Sequence, residues 1–261
     1  MSDTGTYLYA VARDEVAVCP PGVADADVRT IVRGGLVAYV SSVPMERFGE
    51  EPLRRSLEDM DWLAGTARAH HRVVNAVAAA TATAPVRLVT VYEGDEQVSD
   101  LLERRAGDFA EVLAQVTGRR EWGVKAFVDP ASEERPDERS GRDGCEQAGK
   151  PGKPGKPGTA YLQRRRANLR GREQNRRQAL ARAEHIHAAL ATVAVASRRH
   201  RPQDPRLSGR ADWMLLNGAY LVDEGRVAEF AGLAEELGGG GIEVTVTGPW
   251  APYSFTVMET R

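Results

Sequence analysis

Cysteine is nearly absent: Cys19 sits beside Pro20-Pro21 and Cys145 in a polar stretch, so neither a disulfide framework nor a thiolate metal cluster is available. A reducing compartment is expected. No apolar run approaches the roughly 20 residues that span a bilayer, and the polar start Met1 to Gly5 lacks the charged and apolar regions of a secretion signal. The chain is therefore expected to be soluble and intracellular, without a membrane span. A formal charge of −2 over 261 residues supplies no whole-chain field toward nucleic acid or anionic lipid, so any electrostatic function is local.

Chemistry-bearing motifs are missing too. There is no G-x-S-x-G elbow, no cysteine with a nucleophile signature and no distinguished carboxylate pair. The Gly149-Lys-Pro-Gly-Lys-Pro-Gly-Lys run lacks the Ser/Thr and the strand-to-helix setting of a phosphate loop, and Gly238 to Gly241 precede a strand rather than a helix. His70-His71 are adjacent and His185/His187 two apart, spacings that do not converge on one metal from a helix. A histidine on an apolar stripe reads as a hydrogen-bonded packing residue. No catalytic residue, cofactor, metal or small-molecule substrate is assigned, and the protein is read as a non-enzyme.

What is present is organised around a Gly/Lys/Pro stretch at 129–158, which cannot bury enough apolar surface to order itself and is expected to be a flexible tether. It separates a unit over 1–128 from one over 159–261. In the first, Thr6-Tyr-Leu-Tyr-Ala-Val-Ala12 and Leu36-Val-Ala-Tyr-Val-Ser41 read as strands. Leu53, Leu57, Met60, Ala64, Ala67, His71, Val74 and Ala78 recur at steps of four and three, predicting one helix over 52–80. A strand over 86–92, a helix over 95–116 and a strand over 122–128 follow, an α+β order that suggests a ferredoxin-like sheet with helices on one face. In the second unit, 160–199 is free of proline and predicts one long helix; its apolar seam, Ala179, Ala183, Ile186, Leu190 and Val193, suits packing against another helix. A strand over 213–222, a helix over 227–237 and a strand over 242–247 complete a small α+β unit.

Two constellations stand out. Arg164, Arg165, Arg166, Arg170, Arg172, Arg176, Arg177 and Arg182 face the single acid Glu173 over 164–182. They form either a solvated helix or an electrostatic surface, and the scarcity of nearby aromatics favours an acidic protein over RNA. The second, Thr247-Gly-Pro-Trp-Ala-Pro-Tyr-Ser-Phe255, holds three aromatics on a proline-stiffened backbone, fit either to close a core or to form a contact surface.

That second motif, together with Leu215-Leu-Asn-Gly-Ala-Tyr-Leu-Val-Asp223, resembles the ending of the gas vesicle protein F/L family, whose signature runs T-G-P-W-P-P-Y-S-F. Tyr7-Leu-Tyr-Ala-Val11, Trp62-Leu63 through His70, Pro85-Val-Arg87, Glu121-Trp-Gly-Val-Lys125 and Pro157-Gly-Thr-Ala-Tyr-Leu162 are similar to its other landmarks, in order. Ala251 stands where the family usually has proline, and Val89 where a glycine often follows the corresponding strand. The resemblance implies an accessory protein of gas vesicle assembly, located at the vesicle or in the cytoplasm, that binds the major shell protein and other accessory proteins. On that reading Arg164, Arg165, Arg166, Arg170, Trp250, Tyr253 and Phe255 are the partner-facing residues. The alternative is an RNA-binding module using the arginine-rich helix.

Overall fold

The computed structural model describes residues 4–16, 20–128, 157–202 and 213–256. Most of the expected tether, 129–156, lies outside the described residues, as do both cysteines. The fold is mixed α and β: two four-stranded antiparallel sheets with helices packed on them.

The first sheet has the order β2-β3-β1-β4, from β1 (Thr4–Ala12), β2 (Arg29–Arg33), β3 (Leu36–Pro44) and β4 (Thr83–Tyr92). β2 is short and half-exposed and escaped the sequence reading; its hairpin with β3 turns on Gly34 and Gly35, both at positive φ. β1 is central and buried almost throughout, which explains its unbroken apolar run. Tyr7 and Tyr9 face one core; Leu8 and Val11 face the other. A bulge between Leu8 and Ala10 shifts the phase by one, placing Ala10 and Ala12 on the tyrosine side.

Helices cover both faces rather than one. α3 (Met60–Ala80) lies on the tyrosine side through Val73, Val74, Val77 and Ala78, while α4 (Asp95–Arg104) and α5 (Ala106–Val116) cover the other with Val98, Leu102, Phe109 and Leu113. The single helix expected over 52–80 is two pieces, α2 (Glu50–Ser56) and α3, preceded by the short α1 (Met45–Phe48). Asp59 is the reason for the break, because its carboxylate accepts the N–H groups of Asp61 and Trp62 and starts a new helix. The buried stripe keeps the expected Val74 and Ala78 but runs there through Thr66, Ala69, His70 and Val73, leaving Leu57 and Met60 exposed. The helix expected over 95–116 likewise divides at Arg105 (φ −113°, ψ 22°).

In β4 the ladder to β1 jumps from Thr90 opposite Leu8 to Pro85 opposite Ala10, so 86–89 bulge away from the sheet. Val89 there has φ 61°, a conformation costly for a β-branched residue, and its N–H donates to the Tyr7 hydroxyl at 3.0 Å. The site where the family often carries glycine is thus one where glycine is conformationally favoured. Val89→Gly is expected to leave stability no lower, and to raise it by up to about 1 kcal/mol, because relief of strain offsets a half-buried side chain and the looser unfolded chain. The urea midpoint checks this; a loss of more than about 1 kcal/mol would mean the site is unstrained.

The strand expected to close the first sheet, β5 (Arg119–Val128), instead belongs to the second, whose order is β6-β7-β5-β8 with β6 (Ala196–Arg199), β7 (Met214–Asp223) and β8 (Ile242–Trp250). The long helix, α6, spans Pro157–Val193 and stops short of 199, because 196–199 pair with β7 as an edge strand. Its seam packs on β7 and on α7 (Val227–Glu236), burying Ile186 and Leu190 against Tyr220 and Phe230.

Candidate functional site

The C-terminal motif leaves the second sheet and crosses to the first. β8 ends at Trp250, opposite Glu121 of β5. Gly248 sits at φ 137°, where an added Cβ would press on the Glu121 carbonyl and the Trp122 ring, so glycine is required. Beyond it the three rings part. Trp250 stays 40% exposed, edging on His71 (5.7 Å between centroids) with its indole N–H on the Thr247 hydroxyl at 3.4 Å. Tyr253 stacks on His71 (5.8 Å, 20°) and packs on the α3 core, where Ala251 is buried as well. Phe255, 7% exposed, enters a small cluster with Val116, Ala219 and Leu221. Of the aromatic residues expected to face a partner, Trp250 alone offers substantial exposed surface; Tyr253 packs on the α3 core, and Phe255 on the end of α5 and on β7.

Ser254 fixes this crossing. Its backbone N–H and hydroxyl both donate to the Glu121 carboxylate, at 2.8 and 2.7 Å, and His200 Nε2 lies 3.2 Å from the same hydroxyl. Burial pushes Glu121 upward from the ordinary glutamate range, opposed by those two hydrogen bonds. The sequence marks Glu121 only as part of a landmark segment; a glutamate followed by Trp-Gly in a strand gives no sign that it is buried.

Beneath the motif lies a polar network inside the first core. Val89 N–H donates to Tyr7 Oη, which shares a hydrogen bond with His70 Nδ1 at 3.0 Å; Tyr9 Oη pairs with Ser41 at 2.6 Å and accepts the Val23 N–H at 2.8 Å. His70 is 2% exposed, which is the packing role expected for a histidine of this helix. Burial lowers its pKa to about 4. Because the fold refuses a proton that the unfolded chain takes up near pH 6.5, stability is present at neutral pH and is lost as pH falls from about 6.5 toward about 4, by up to roughly 3 kcal/mol. His70→Gln is expected to flatten that window, read as urea unfolding free energies at pH 7 and 4.5; an unchanged slope would place the acid sensitivity elsewhere. Glu121, shifted upward, carries the opposite sign and cannot produce the same slope.

The second candidate is the N-terminal half of α6. Arg164 belongs to its backbone; Arg165, Arg166 and Arg170 are exposed, as are the other described side chains over 165–178. Arg177 meets Glu173 at 3.1 Å, and further along Arg176 lies over the Trp213 ring and Arg182 donates to the Gly240 carbonyl. The apolar seam thus ends at Ala179, and 22 further residues of the helix, about 33 Å at 1.5 Å each, lie N-terminal to it. The arginines and Trp250 lie on separate elements, α6 and the end of β8. Among the described residues no three His, Cys, Asp or Glu side chains gather as metal ligands, and no helix is long and apolar enough to cross a membrane.

The chain is similar to known proteins along nearly its whole length. The sequence profile of the gas vesicle synthesis protein GvpL/GvpF family matches residues 5–257. Gas vesicle protein L of Streptomyces sp. (strain CB03234) is 39% identical over 257 residues, covering 97% of this chain and 93% of that protein. Crystal structures of GvpF from Anabaena sp. PCC7120 and from Microcystis aeruginosa superpose with TM-scores of 0.65 and 0.62, each at 20% identity. They cover 98% and 97% of this chain, and 97% and 99% of their own. The fold is thus shared with both GvpF structures, and the profile match with the gas vesicle protein L identity fixes the relationship: the chain belongs to the GvpL/GvpF family of gas vesicle synthesis proteins.

Proposed function

We propose that this chain acts as an accessory factor in gas vesicle assembly by binding the major shell protein and other accessory proteins, at the vesicle or in the surrounding cytoplasm, without catalysis, cofactor or small-molecule substrate. A wall built from subunits with apolar faces needs helpers that hold those faces before they order, since exposed apolar surface aggregates. The observation that carries the reading is the overhang of α6: a strongly basic helix whose described side chains over 165–178 are exposed has little packing of its own to hold it. Arg164, Arg165, Arg166 and Arg170 form its electrostatic contact, and Trp250 supplies a separate aromatic one, with Tyr253 and Phe255 as its support. The chain works as two units, one for each sheet; the pairing of β5 with β7 and β8 supports a boundary before β5 rather than after it.

The test is capture of the major shell protein, co-expressed from the same organism, across a salt titration. Specific capture that survives moderate salt supports the reading. Retained nucleic acid that salt releases, with no shell protein, would support the RNA-binding alternative instead.

A further inference from the structure

At the root of the α6 overhang is a groove of about 820 Å³ between α6, the start of β7 and the glycine turn before β8. Its cationic wall is Arg176 and Arg182, with Asn175 and Gln178 beside them and Trp213 as the floor. Among the described residues neither arginine is paired with a carboxylate. Each is instead held by a contact that leaves donors free. The Arg176 guanidinium lies 5.4 Å over the Trp213 ring centroid, a contact with a ring face that uses none of its N–H groups. Arg182 gives one Nη1–H to the Gly240 carbonyl at 2.9 Å and, among the described residues, retains the rest. Gly239, Gly240 and Gly241 are all at positive φ, and a Cβ on Gly240 would strike the Arg182 guanidinium, so the glycine run is what seats that side chain.

We propose that this groove is a carboxylate clamp for an acidic helical segment of a protein partner, one Glu or Asp side chain entering between Arg176 and Arg182. The inference rests on the partner-binding reading of α6 and names the chemistry of its partner. Positions step back from Val193 by three and four through Leu190, Ile186, Ala183 and Ala179 to Arg176, Arg172, Leu169 and Arg165, so the stripe that buries itself on the sheet turns basic where it emerges. A helix lying along that stripe with acids at heptad spacing has arginine positions to meet on either side of Leu169. A guanidinium pair held in place suits the planar, two-oxygen carboxylate. Base stacking is disfavoured because Arg176 already covers the Trp213 face.

The probe is a blocked, labelled 21-residue helical peptide with glutamates at heptad spacing, against its glutamine counterpart, titrated with the full chain in fluorescence anisotropy. The glutamine peptide is expected to bind at least about tenfold more weakly, and Arg176→Gln or Arg182→Gln to weaken the glutamate peptide about tenfold without moving the thermal midpoint. Arg165→Gln, on the exposed overhang, changes it only about two- to threefold. Equal binding of the two peptides, indifference to both clamp substitutions, or displacement of the peptide by oligouridylate at lower concentration would overturn the clamp. Shell-protein capture by the same samples separates the two readings: its absence with peptide binding intact counts against the function proposed above and leaves the clamp standing.

Discussion

Phe255→Ala is expected to lower the unfolding free energy by roughly 3 to 4 kcal/mol, whereas Trp250→Ala, five residues earlier in the same motif, costs about 1 kcal/mol or less. Phe255 is buried against Val116 at the end of α5 and Ala219 and Leu221 of β7, so its removal leaves a cavity at the junction of the two sheets. Trp250 is 40% exposed and its indole N–H bond is long, so its truncation opens no void and the freed Thr247 hydroxyl meets water. Denaturant unfolding of the two variants at constant m-value gives the comparison directly. Equal losses would mean that Trp250 is as structural as Phe255, and would remove it from the contact surface.

The second large effect concerns binding without stability. Charge reversal of Arg165, Arg166 and Arg170 to glutamate is expected to reduce capture of the shell protein at least 100-fold at low salt, because three attractive contacts become repulsive ones. The same variant is expected to melt within about 2 °C of the parent, since the three side chains are exposed and lie beyond the packed seam. Differential scanning calorimetry beside the capture assay reads both. Full capture by a folded triple variant would show that the overhang is only a solvated helix.

Much of the fold is legible in the residues because strong local signals agree with the packing. The Tyr7 to Ala12 run became the central strand, and the seam from Ala179 to Val193 is the stripe that packs, on a sheet and α7 rather than on one helix. Where the reading departed, a short-range competitor prevailed. Asp59 caps a new helix within an unbroken heptad pattern; Ala196–Arg199, with good helix formers around it, takes the free edge of β7; β5, adjacent in sequence to the first sheet, pairs in the second. Sheet membership depends on long-range partners that no local window contains.

The candidate site was legible in outline only. The aromatic ending is visible as a motif, but alternation cannot tell which of three rings stays outside, since the segment leaves strand geometry after Trp250. The arginine cluster is visible by composition, while the role of Trp213 is not: it lies far from Arg176 in sequence, and only the fold sets the guanidinium over the ring. Glu121 and its bonds to Ser254 are hidden for the same reason, their separation being 133 residues.

The most direct test of the central claim is site-specific photo-crosslinking in cells making vesicles, with a photoreactive residue placed in turn at Arg166, at Trp250 and, as a control, at Glu111 on the exposed face of α5. The account predicts crosslinks to the major shell protein or a gas vesicle accessory protein from Arg166 and Trp250 and none from Glu111; crosslinks from Glu111 alone, or from Arg166 to RNA alone, would contradict it.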